Sequence, residues 1–382
     1  MLEKYYHDLT DILGGDGVAQ YPGLANIPAA TWKIPALGGR LYGVAQPRPP
    51  AGILLFSRGD LLAENGINDP NVQLRDEADF VDLLDSLTDK SRDRFAMGGD
   101  PIGWLLSLVK QMCGVPNYWA LRDGQFVHEN ETDEMKDAID QAGRIIRAGH
   151  LHPNPFSDPG QGLTWFTAGV TSLYPQAFPS WETLAVQHPE WNVGNVDLPR
   201  WEGGGTAPVR KLPAGYGAFV AFKKSSDERI EQLLRVADFM ASPFGTQEYL
   251  DVHYGVDGYS HTMENGVPTP VGGGPDVVLP MSYLGGNKTA VLYAGKDAER
   301  VRTQHEYLTR TITEGNDNAV YGLYPEAAVG KTAKLTAANN DVLREVMLGR
   351  KPMTEWDEFV SQWKSEAGDA MRAEYSEAAE KQ

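Results

Sequence analysis

Residues 38–67 read GGRLYGVAQPRPPAGILLFSRGDLLAENGI. Two short apolar runs stand in this stretch, LYGVA at 41–45 and GILLFS at 52–57, each bounded by glycine or proline. Continuous apolar runs of this length, punctuated in this way, are expected of strands buried on both faces. A third run, GAFVAF at 217–222, has the same character. Segments of helical period lie between the runs, so the chain reads as an α/β protein.

Several helices carry their own start and stop signals. Asp100 and Pro101 suit an N-cap and a first turn; Ile102, Leu105, Leu106, Val109 and Met112 follow at helical spacing, and Gly114 ends the segment. Thr132 precedes the acidic pair Asp133 and Glu134, and a stripe from Met135 through Ala138, Ile139, Ala142 and Ile145 to Ile146 ends at Gly149. Ser225 and Glu228 form a capping-box pair ahead of Ile230, Leu233, Leu234, Ala237 and Met240, with Pro243 closing the helix. Thr354 caps a helix whose Trp356, Phe359, Val360 and Trp363 share a face, and that spacing assigns these aromatics to a core.

At 382 residues the chain exceeds the size at which one core keeps growing, so two lobes are expected. Nine Trp, sixteen Tyr and twelve Phe supply packed cores and rings able to stack on a ligand. A formal charge of -18, with no cluster of Lys or Arg to offset it locally, argues against nucleic acid and anionic membrane surfaces as partners. The single cysteine, Cys113, forbids an intrachain disulfide and falls on the apolar side of a predicted helix, as a buried inert thiol does. No apolar run approaches the roughly 18 residues that span a bilayer. The opening MLEKYYHDLTDILGG has neither the basic nor the apolar region of an export signal.

Motifs for chemistry fail on context. GGGTAP (203–208) lacks the Lys-Ser/Thr ending of a phosphate-binding loop, and GYGAFV (215–220) runs into a strand where a dinucleotide fingerprint needs a helix. His150 and His152 could hold zinc only with further ligands, and their place just after Gly149 suits interaction with a helix's carbonyl end. No metal and no cofactor are expected. There is no G-x-S-x-G elbow. With 52 acidic residues, any one carboxylate pair is uninformative about glycoside hydrolysis.

The 38–67 stretch resembles the crossover region of family 1 extracellular solute-binding proteins, the substrate-binding lipoproteins of ABC transporters, in their oligosaccharide-type subgroup. GVPNYWALRDGQFVHENETDEMKDAIDQAGRIIRAGHLHP (114–153) resembles that subgroup's G-x-P-N-x-W, hairpin, T-x-E-x-K-x-A helix and G-x-x-H-P turn. QGLTWFTAGVTSLY (161–174) resembles the family's F-x-x-G segment through Phe166 and Gly169, with Val170 in place of the usual Lys. Residues 215–261 are similar to the return to the first lobe, and LREVMLGRKPMTEWDEFVSQWKSEAG (343–368) to the terminal helix pair.

This resemblance implies a two-lobed periplasmic-binding-protein type II fold. It divides the chain into a partial N-lobe of 1–47 and 205–258 and a C-lobe of 48–204 and 259–382. In the family, the segment matching Asp8–Leu13 follows a signal peptide, a lipidated cysteine and the first βαβ units. The resemblance therefore implies an incomplete N-lobe, lacking about a hundred residues by the span such units occupy, and a weakened cleft. It also implies a carbohydrate ligand, permease subunits as partners, an extracellular or cell-surface location, membrane attachment only through a lipid anchor absent from this chain, and no catalysis. Among cleft-facing segments it nominates Arg48 as a donor to hydroxyl or carboxylate. Trp165, Tyr174, Trp181, Trp201, Tyr216 and Tyr259 are nominated for stacking or hydrogen bonding, Trp165 and Trp201 foremost because glycines flank them. Trp32, Trp104 and Trp119 are expected in structural roles. The competing readings are a carbohydrate-active hydrolase, which would release reducing ends, and a nonfunctional remnant of a binding protein.

Overall fold

GILLFS forms strand β1, Ile53–Ser57, in the computed structural model, which describes residues 2–153, 155–212, 218–271, 282–285, 297–323, 325–328 and 331–380. Leu54, Leu55 and Phe56 are buried on both sides of the strand, as continuous apolarity requires. Four further strands join it: β2 (Val72–Gln73), β3 (Phe95–Met97), β4 (Thr171–Ala177) and β5 (Gly194–Asp197), in the order β2-β5-β1-β4-β3. β1 runs antiparallel to both neighbours, from Ile53 opposite Ala177 to Ser57 opposite Leu173 on the β4 side. β3 is parallel to β4, with Phe95 opposite Thr171 and Met97 opposite Leu173. The sheet is therefore mixed.

This sheet belongs to one of two units into which the chain divides, residues 51–211 with 314–382. Its helices include α1 (Leu106–Met112), α2 (Asp133–Ala148), α3 (Gly162–Thr167), α4 (Thr332–Met347) and α5 (Thr354–Trp363). The apolar faces of α1, α2, α4 and α5 meet the sheet in one core that contains Leu55, Leu106, Ile139, Leu173, Met347 and Trp356. Asp100 accepts from Ile102 N at 2.9 Å, Thr132 Oγ1 accepts from Met135 N at 3.3 Å, and Gly149 closes α2 at φ 84°. Asp100 thus caps the π-helical turn Pro101–Leu105 that leads into α1, and Thr132 and Gly149 bound α2 as their residue types predict. Thr354 is instead the first helical residue after an uncapped Met353. Trp356, Phe359 and Trp363 are buried as their spacing requires.

The other unit comprises residues 1–50 and 212–313, around Leu9, Leu24, Val44, Ile230, Leu234 and Leu284. LYGVA does not make one strand. Arg40–Leu41 pairs with Ala36–Leu37, whereas Val44–Ala45 pairs with Phe219–Val220. The break falls at Gly43, where a Cβ would lie 2.5 Å from the Phe219 ring and 2.7 Å from Val220 O, so only glycine lets the two strands approach. Phe219 and Val220 are only half-buried, which corrects the expectation of a two-sided strand over 217–222. The helix Asp227–Met240 takes its cap from Ser226, which accepts from Arg229 N at 3.4 Å, one residue beyond the expected Ser225.

The unit boundaries correct the division drawn from resemblance. Residues 259–313 remain with the first unit because Leu284, fully buried, packs in the core of Leu234 and Ala241. Residues 205–211 go with the second unit, where Asn117 Nδ2 donates to Lys211 O at 2.7 Å and Arg210 pairs with Glu129.

Candidate functional site

The turn that leaves β3 is Gly98-Gly99-Asp100, and three glycines set what can gather there. Gly99 has φ 94°, a conformation side chains disfavour, so the turn needs glycine. A Cβ on Gly162, the first residue of α3, would lie 3.3 Å from Gly99 Cα and 3.4 Å from the Tyr174 ring. A Cβ on Gly98 would lie 2.5 Å from Cε3 of Trp165. The missing side chains let the turn, the start of α3 and two aromatic rings share one place. In open α/β sheets, ligands bind beyond the carboxyl ends of strands, and this turn is such an end.

Trp165 is half-buried and stacks on His152, with ring centroids 3.9 Å apart and planes 17° from parallel. His152 meets Phe95 edge-on at 5.5 Å. Burial pulls His152 below the usual histidine range against the opposing pull of Asp93 and Asp158, so the imidazole is neutral in neutral solution. Tyr174, from β4, stacks on Phe166 at 5.3 Å, and its hydroxyl accepts from Gln176 Nε2 at 2.9 Å. Behind α3, Arg58 is nearly buried, donates to Phe166 O at 3.0 Å, pairs with Asp60 and lies 4.1 Å from the Trp191 ring centroid. That cation fixes the C-terminal end of the helix carrying Trp165.

Of the seven residues nominated from sequence, this turn brings together Trp165 and Tyr174. Trp165 sits on a short helix rather than in a loop. Trp181 is 2% exposed, with Nε1 donating to Val193 O at 3.3 Å and rings Phe56 and Phe178 around it, so it is core. Trp201 is half-buried against the core of Leu55 and Leu106, its backbone N donating to Met112 O at 2.9 Å. Arg48 and Tyr259 belong to the other unit. Arg48 is exposed and reaches the Gln46 side-chain oxygen at 3.1 and 3.2 Å, and Tyr259 is 71% exposed. Tyr216 lies outside the described residues. Trp104, expected to be structural, is half-buried with Cδ1 3.4 Å from where a Gly99 Cβ would stand, so it borders the turn. The Gly98-Gly99 pair two residues before Pro101 was the sequence signal for it.

The buried acids of this unit are occupied. Glu129 pairs with Lys110 at 2.8 Å and with Arg210; burial would raise its pKa, but the two cations outweigh that and hold it at about 2. Asp197 accepts from Gln73 at 2.8 Å and Asn195 at 3.1 Å. An acid ionised at about 2 is no proton donor for a glycosidic oxygen. His150 is buried with Asp85 at 3.7 Å and Thr88 at 3.4 Å, while the carbonyl end of α2 is met by Lys90, which donates to Ala148 O at 3.0 Å. The expected pairing of His150 with that end is thereby corrected. Among the described residues no three His, Cys, Asp or Glu side chains are grouped to hold a metal ion. Burial raises the Cys113 thiol to about 12, which makes it inert.

No family model matches the chain. It is 22% identical over 379 residues to the polygalacturonan/rhamnogalacturonan-binding protein YtcQ of Bacillus subtilis, covering 95% of this chain and 75% of that protein. Its fold superposes on the N-glycan transport solute-binding protein of Streptococcus pneumoniae with a TM-score of 0.69 at 12% identity, over 98% of this chain and 83% of the other. An HMO-binding, ABC-transporter-associated solute-binding protein of Bifidobacterium longum infantis gives 0.61 at 11% identity, over 98% and 83%. The chain thus has the fold of the sugar-binding proteins of ABC transporters. The resemblance to family 1 extracellular solute-binding proteins extends from sequence motifs to the course of the chain.

Proposed function

We propose that the chain is the solute-binding component of an ABC importer, binding an oligosaccharide and delivering it to permease subunits at the cell exterior. The observation that carries this reading is the half-buried Trp165, seated on Gly98 and stacked on a neutral His152, within the fold of sugar-binding proteins. Sugar C–H faces stack on aromatic rings of this kind, and sugar hydroxyls pair with polar side chains and backbone groups. The names of the relatives, which are those of binding proteins for polysaccharides and glycans, support a saccharide ligand and no turnover. Titration of the chain with a panel of neutral and acidic oligosaccharides should change tryptophan emission saturably, and Trp165→Ala should weaken binding about tenfold, roughly 1.4 kcal/mol. Unchanged emission across the panel, or release of reducing ends, would overturn the proposal.

A further inference from the structure

The second unit also holds a cavity of about 870 Å³, within the range of small-molecule sites. Lys90, Arg147, Arg344 and Arg350 line it against one carboxylate, Asp93. In a chain of formal charge -18, four converging cations ask for a cause. Two have a structural one: Lys90 donates to Ala148 O at 3.0 Å and Arg147 to Met347 O at 2.8 Å, closing the carbonyl ends of α2 and α4. Arg344 and Arg350 are different. Their acidic neighbours are Asp341 at 3.7 Å and Glu345 at 3.3 Å, on a water-exposed rim where such pairs are weak.

Arg344 lies 5.8 Å from the Phe156 ring centroid, and its Nε is buried without a hydrogen-bond partner. The side chain as a whole is 43% exposed and lines the cavity, so an acceptor entering there meets its fork. Guanidinium forks match carboxylates in two parallel bonds, and the Phe156 ring beside them offers a face to a sugar. We propose that this cavity binds a carboxylate-bearing saccharide, with Arg344 and Arg350 taking the carboxylate of a uronate and Phe156 its C–H face. The proposal rests on the carbohydrate reading and adds charge to it.

The test is calorimetric titration of the full chain with trigalacturonate, its methyl ester and inorganic phosphate. Wild-type protein should bind the acid about tenfold or more tightly than the ester. The Arg344→Gln/Arg350→Gln variant should lose that preference while keeping its affinity for the ester, which also shows that it is folded. The exposed Arg350→Gln alone should lose part of the preference. Equal wild-type affinity for acid and ester, or a preference that survives in the double variant, would sink the proposal alone. Phosphate competing as well as trigalacturonate would replace the uronate with a general anion. Binding of neither saccharide would bring down the carbohydrate reading as well.

Discussion

Glu129, Lys110 and Arg210 form the most heavily buried charge cluster of the second unit, with side-chain exposures of 7%, 13% and 12%. Burial pulls Lys110 down and Glu129 counters it, so each charge depends on the others. Removing the carboxylate strands two buried cations, and Glu129→Ala should cost about 3–5 kcal/mol by urea denaturation. The sign with pH follows from the folded pKa of about 2 against an ordinary 4.5. Stability contributed by ionised Glu129 is fully present above pH 4.5 and is lost as pH falls toward 2. The stability gap between wild type and Glu129→Gln should therefore narrow over that window; a constant gap would contradict an ionised cluster. A second test concerns the aromatic turn: Gly98→Ala forces a Cβ to within 2.5 Å of the Trp165 ring. Overpacking of this kind costs about 1–3 kcal/mol, and the variant should show both that loss and shifted tryptophan emission. Wild-type stability with unchanged emission would remove Trp165 from Gly98.

Among elements, α2 is the clearest case of local sequence governing local structure. Thr132 Oγ1 accepts from Met135 N at its start, and Gly149 takes a left-handed conformation at its end. Thr132→Ala should cost about 1 kcal/mol in chemical denaturation, whereas an unchanged midpoint would mean that packing alone holds the helix. Such signals were readable because caps and stripes act within a few residues. β1 was readable for the same reason, its apolar run being buried along its length. What could not be read needed partners distant in sequence. The break at Gly43 depends on Phe219, and the choice of Ser226 over Ser225 on a one-residue shift in the chain's entry to the helix. Trp181, nominated for contact with a ligand, is core because Phe56 from β1 packs on its ring and Val193 O accepts from its Nε1. Trp104, expected in a structural role, borders the turn because Gly99 leaves room.

At the scale of the whole chain, two units each enclose their own core, and the segment 259–313 stays with the first through Leu284. The motifs along 38–67, 114–153, 161–174 and 343–368 anticipated a fold that superposes over nearly the whole chain on sugar-binding proteins of transporters. The site was less legible: of seven nominated residues, two converge at the β3 turn, because stacking partners such as His152 and Gly98 are brought together only by tertiary structure. In a chain of formal charge -18, the cations around Arg344 are gathered in one cavity. As proposed, this chain binds saccharides without transforming them. Isothermal titration calorimetry of the full chain against neutral and acidic oligosaccharides should then give a saturable heat of binding for at least one saccharide, with no continuing heat of turnover. Flat titrations throughout, or sustained heat from hydrolysis, would contradict it.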